Sequence, residues 1–196
     1  MSQIDEDFKL SQLPTDAETI AFCELQEALG DYSGTYVYPS REAPVAFIKC
    51  GAKDFGMKAE LSNQEFVFNA LKSLPQHETA NILIPKIYRV VEREYILYVI
   101  MEYINGDTLK ELLDKGLLQN QLEEYYTKIA QAIKLFISLK VPENATPGPV
   151  SGGNIKHPLF KDGEASIEYT SIDTLQKHVN NVGLHQQCIN ILLMSN

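Results

Sequence analysis

Lys49 lies in the middle of "VAFIKCG" (Val45 to Gly51), a run of otherwise uncharged residues with the β-branched and aromatic content of a strand. Strand alternation sets Val45, Phe47 and Lys49 on one face and Ala46, Ile48 and Cys50 on the other. If the lysine face is turned inward, its ammonium needs a buried partner or a bound anion, because an unpaired buried charge costs on the order of several kcal/mol. The chain offers both. Downstream, Glu60 lies in "MKAELSNQEFVFNALKSL" (Met57 to Leu74), which reads as a helix. At roughly 100° per residue, Glu60, Gln64, Val67 and Leu71 fall in one narrow sector, so Glu60 shares the stripe that Val67 and Leu71 would bury, whereas Glu65 projects well off it. Upstream, the Ser33-Gly34 turn of "DYSGTY" (Asp31 to Tyr36) could aim backbone N–H groups at phosphate oxygens. The competing reading is an edge-strand lysine whose stem lies along the sheet while its ammonium reaches water.

The elements that must position these groups follow from periodicity and turn chemistry. Residues 1–16 read as a loose acidic arm, and "DAETIAFCELQEAL" (Asp16 to Leu29) has helical spacing with Asp16 as N-cap. "GDYSGTYVY" suggests a strand, a tight turn and a second strand ahead of "VAFIKC". "IPKIYRVVEREYILYVIMEYI" gives two strands joined at Glu92-Arg93-Glu94, and Asn105-Gly106 closes the second. Thr108 and Glu111 have capping-box spacing at the start of "TLKELL", and a longer helix is expected over 119–139. A Pro/Gly-rich connection, "PENATPGPVSGGNIKHP", then leads to a short helix in "SIDTLQKHVNNV". This order describes an α+β chain. A small antiparallel-sheet lobe with one main helix occupies 17–104, and a partial helical lobe occupies 105–196.

Composition narrows the function classes. The net charge of −9 is concentrated at the start, where residues 1–31 hold eight acids against Lys9 alone. With no Lys/Arg cluster, duplex nucleic acid and anionic membrane surfaces are poor partners. The three cysteines, Cys23, Cys50 and Cys188, are widely spaced and form no CxxC, which speaks for reduced thiols rather than a disulfide framework or a zinc site. The acidic beginning and the short apolar runs lead to the expectation of a soluble cytoplasmic protein.

Five segments in order, "VAFIKCG", "AELSNQEFVFNAL", "IPKIYRV", "VIMEYINGDTL" and "PGPVSGG…HPLFKDGEASIEY…LQKHVN", resemble the aminoglycoside phosphotransferase-like branch of the protein-kinase-like fold, over roughly Gly30 to Val182. The resemblance implies that ATP is the nucleotide, that Lys49 contacts its α- and β-phosphates, and that Glu60 orients Lys49, with Glu65 as rival. It further implies that residues Asp31 to Thr35, including Ser33 and Gly34, cover the phosphates. Met101, Glu102, Tyr103 and Ile104 would form the hinge, where the Glu102 carbonyl and Ile104 amide meet the adenine edge.

Catalysis in that family needs HxDxxxxN, whose Asp accepts the substrate hydroxyl proton and whose Asn binds Mg²⁺, and a further metal-holding Asp. Here "HVNNVG" is followed by "LHQQCINILLMSN", no Asp follows Asp173, and Asn190 is at the wrong distance from His185. The expectation is therefore an ATP-binding lobe with magnesium left short of ligands and phosphotransfer to a small-molecule hydroxyl lost. The chain reads as a truncated or degenerate member, with a working enzyme expected only if it continues past Asn196. A non-catalytic binding or regulatory module, associating with itself or a partner through an incomplete helical lobe and the apolar residues Ile189 and Ile191 to Met194, is the alternative.

Other signals carry less. "GPVSGGN" has P-loop glycine spacing but presents Asn154 and Ile155 where Lys and Ser/Thr are needed. His157 and Asp162 match a loose HxxxxD pattern. His77, His178 and His185 lack metal-ligand spacing and read as surface residues. The acids of the first helix read as a solvated face.

Overall fold

The computed structural model describes residues 10–79, 82–116, 119–158 and 160–181. The first nine residues of the acidic arm and the segment 182–196, with His185, Cys188 and the apolar tail, lie outside the described residues. The chain forms two compact units, Met1–Met57 with Gln64–Leu139, and Lys58–Asn63 with Lys140–Asn196.

The first unit is built on a four-stranded antiparallel sheet comprising β1 (Thr35–Tyr38), β2 (Ala46–Ala52), β3 (Ile87–Arg93) and β4 (Ile96–Glu102), in the order β1-β2-β4-β3. With helices before and after it, the fold is α+β. "VAFIKC" becomes a central strand, paired with Thr35 to Tyr38 on one side and with Ile96 to Glu102 on the other. Its period-two pattern is visible in burial: Ala46, Ile48 and Cys50 are buried, and the residues between them are half-buried. Ile48 and Ile100 pair across β2 and β4 with no exposed surface, in a core shared with Tyr36, Tyr98 and Cys23.

Cys23 comes from α1 (Asp16–Ala28), which covers this face. Thr15, rather than Asp16, caps α1: its hydroxyl accepts from Glu18 N–H while the Glu18 carboxylate accepts from Thr15 N–H at 2.7 Å. The threonine wins because only it stands three residues before a glutamate. Asp16, freed from capping, pairs with Arg89 at 2.8 Å, and Glu24 pairs with Arg93 at 3.0 Å. Part of the acidic face read as solvated thus docks α1 on β3. Gly30, at φ 90°, takes the left-handed position that ends the helix.

The expected hairpin in "GDYSGTYVY" is a single strand preceded by a turn. Asp31 and Ser33 side chains bond the backbone N–H groups of Ser33 and Thr35, at 3.0 and 3.2 Å, which replaces the ladder that an earlier strand would need. The β3–β4 reversal falls one residue later than expected, at Glu94-Tyr95, with Glu94 at φ 55°.

A π-helical turn, Lys53–Met57, leads into α2 (Lys58–Lys72), and a single helical turn, α3 (Gln76–Thr79), follows. Beyond the sheet, α4 (Leu109–Asp114) carries the expected Thr108–Glu111 capping box, and α5 runs over Gln119–Ser138. In the second unit, Val150 N–H donates to Asn63 Oδ1 at 2.9 Å, and Phe160, Ala165 and Tyr169 form a small core. His178, on the helical segment 172–181, is half-buried rather than a surface residue: its Nδ1 lies 2.9 Å from the Tyr169 hydroxyl and its ring meets Phe160 edge-on. Phenol and ring give it more contact than water would. The "GPVSGGN" loop leads into a bridge at Lys156–Glu164 instead of the helix a P-loop requires.

Candidate functional site

Lys49 is half-buried on the sheet face opposite α1. Cross-strand register sets Thr35 and Val99 beside it, and Phe47 is flanked by Val37 and Met101 in the same way. These residues share one face because directly paired positions point the same way. The neighbouring strand β4 is buried at Leu97, Val99 and Met101, and Lys49 itself stands on an inner strand, not at an edge. A cleft of about 520 Å³ opens alongside, wrapping β1 and lined by Thr35, Val37 and Phe47 together with Arg41, Glu42 and Thr108. Lys49 is two positions along β2 from Phe47 and does not line it. Val37 and Phe47 stand on the cleft wall, and Arg41, held 3.6 Å from Glu111, stands at its rim.

The Ser33-Gly34 turn lies directly against β2, where Cys50 N–H donates to the Gly34 carbonyl at 2.8 Å. Gly34 is required twice over: its φ is 67°, and a Cβ there would stand 2.7 Å from the Cys50 carbonyl oxygen. Two of the turn's amides are engaged within it, since Ser33 N–H donates to Asp31 Oδ1 and Thr35 N–H to Ser33 Oγ, while Asp31 N–H donates to the Gln26 carbonyl. The first of these bonds, then the Ser33 hydroxyl, hold the Asp31 carboxyl below its ordinary pKa. Below the turn the Tyr36 hydroxyl donates to the Asp31 carbonyl at 2.8 Å, and burial pushes its pKa up to about 12. The turn is therefore a closed unit with a carboxylate at its start, and a phosphate approaching it would compete with Asp31 for the Ser33 amide.

At the opposite end of the sheet face, β4 finishes at Glu102, whose N–H donates to the Lys86 carbonyl at 2.8 Å. Residues 103 and 104 leave the ladder, and Ile104 is exposed. Gln64 braces this end: its amide donates to the Pro85 carbonyl at 2.9 Å and lies 4.0 Å from the Met101 sulfur. Helical phase had flagged Gln64 only as a member of the inward stripe, and its partner at Pro85 has no sequence signal because the contact spans 21 residues. Burial along that stripe is graded. Leu71 is buried, Gln64 and Val67 are half-buried, and Glu60 is exposed, as is Glu65. Lys49, Ser33, Gly34, Met101, Glu102 and Ile104 all belong to the first unit, and Glu60 belongs to the second.

No family model, curated protein or solved structure matches this chain. Its functional reading therefore rests on its own residues. Among the described residues no group of three or more His, Cys, Asp or Glu is arranged to hold a metal ion, and no helix is long and apolar enough to cross a membrane.

Proposed function

We propose that this chain is a protein-kinase-like, nucleotide-binding protein of the aminoglycoside phosphotransferase type, with Lys49 as the phosphate ligand. The observation that carries the reading is the lysine itself, half-buried in the central part of an inner strand between Thr35 and Val99. A lysine on that face presents a positive charge that the phosphates of a nucleotide complement. Val37 and Phe47 on the cleft wall suit a flat base, and residues 103 and 104 leave the ladder where their backbone groups can meet a base edge. Because the Ser33 and Thr35 amides are engaged within the turn, they are not open to a phosphate, and Lys49 takes the larger share of its recognition.

Phosphoryl transfer by these 196 residues is not part of the proposal, since they contain no HxDxxxxN and no Asp beyond Asp173. The test combines two readouts on the purified protein. Mg·ATP is expected to raise the melting temperature, and radiolabelled γ-phosphate is expected to stay on the nucleotide in the presence of aminoglycosides and other small hydroxyl compounds. Transfer that Lys49→Ala abolishes would replace the binding reading with a catalytic one.

A second reading, a non-catalytic protein-binding module, is favoured by α5, where Tyr126, Ile129, Ile133 and Ile137 form an exposed stripe at three- and four-residue spacing. Sedimentation of the purified protein separates the two. A monomer at all concentrations with a nucleotide-dependent melting temperature supports the first reading alone.

A further inference from the structure

The core of the first unit holds two free thiols that the nucleotide reading does not use. Cys23, in the middle of α1, is 1% exposed, and Cys50, near the end of β2, is 9% exposed; both belong to one packed cluster. Cys23 enters this cluster from the helix and Cys50 from the sheet face it covers, and each thiol is the group that most perturbs the other's ionisation. Sequence spacing gives no hint of this, since 26 residues separate them and neither is part of a CxxC.

We infer that Cys23 and Cys50 are an oxidisable dithiol, closing to an intramolecular disulfide that fastens α1 to β2 when the protein meets a hydroperoxide. The pair is chemically unequal. The Cys23 thiol stabilises ionised Cys50 and lowers its pKa, while burial and Glu27 oppose this. Cys23 is pushed up by Cys50 first, then by burial and by the acids Glu27 and Glu24. Cys50, the more exposed of the two thiols, is the attacking sulfur. Its thiolate takes one oxygen from the hydroperoxide, the O–O bond breaks, and the departing alkoxide or hydroxide leaves protonated. The Cys23 sulfur then attacks the Cys50 sulfenic acid, its proton leaving with the displaced hydroxyl as water. Two thiols lose two electrons and two protons in total, and the hydroperoxide is reduced to water and its alcohol.

The experiment uses the full chain carrying Cys188→Ser, so that only these two thiols remain. After reduction and removal of the reductant, the protein is treated with stoichiometric hydrogen peroxide, denatured in a maleimide, and measured by intact and tryptic mass spectrometry. The expected product is lighter by about 2 Da, takes up no maleimide, and yields a peptide joining Cys23 to Cys50. Its melting temperature is expected to rise by several degrees and to return on reduction. Adding Cys23→Ala should leave Cys50 to stop at sulfenic acid or be oxidised further. Two maleimide adducts after oxidation, disulfides only between molecules, or sulfinic acid at Cys50 without the cross-link would each overturn the inference. The primary readout keeps both native thiols, so it does not depend on how well the Cys23 variant folds.

Discussion

The conformational demand at Gly34 is open to direct measurement. Gly34→Ala should destabilise the protein by about 1–3 kcal/mol or more, through its positive φ and its collision with the Cys50 carbonyl. Gly106→Ala, with nothing within 4 Å of its added Cβ, should change the urea midpoint little. The glycine of the Ser33-Gly34 turn is legible in the sequence as a turn former, yet the engagement of the Ser33 and Thr35 amides by Asp31 and Ser33 side chains depends on rotamers that no spacing rule encodes. Lys49 is similar. Alternation in "VAFIKC" anticipates the burial of Ala46, Ile48 and Cys50, because a period of two is a property of any strand. It does not anticipate that the lysine sits on an inner strand, which depends on β4 pairing from 50 residues away.

Among the elements, helices are the most legible and their ends the least. The capping box at Thr108–Glu111 appears as its spacing requires, whereas at α1 the cap moves from Asp16 to Thr15. The difference is the reciprocal glutamate: Glu18 lies three residues after Thr15 and closes the box. Thr15→Ala should therefore cost about 1 kcal/mol of stability in denaturant unfolding, and Asp16→Ala, which removes only an exposed ion pair to Arg89, should cost less. The same boxes set an acid response. Backbone hydrogen bonds from Thr15 and Thr108, followed by their hydroxyls, hold Glu18 and Glu111 below their ordinary value of 4.5 in the folded state. Their stabilisation is complete above pH 4.5 and is lost as pH falls through the folded-state values. The stability gap between the native protein and Glu18→Ala should thus be present at neutral pH and close as the solution is acidified. A gap that persists in strong acid would mean that the carboxylate is not what closes the box.

For the whole molecule, a small antiparallel sheet with one main helix and further helices after it is what the order of patterns in the sequence implies, and the α+β architecture agrees with it; that the first helix covers the face opposite Lys49 is not implied. Less legible is what the helical half packs against. The exposed stripe on α5 from Tyr126 to Ile137 has the periodicity of a buried face, and periodicity alone does not say whether that face is covered. If it serves as an interface, Ile133→Glu should lower self-association in sedimentation without changing nucleotide binding, because the residue lies well away in sequence from Lys49 and the 101–104 segment.

Whether Lys49 reads phosphate is decided by calorimetric titration of the native protein and Lys49→Ala with ATP and with adenosine. The native protein is expected to bind ATP, Lys49→Ala to bind it about 10- to 100-fold more weakly, as loss of one charge-assisted contact would cause, and adenosine to bind both proteins equally. No ATP binding by the native protein, or equal ATP affinity in the variant, would contradict that role for Lys49.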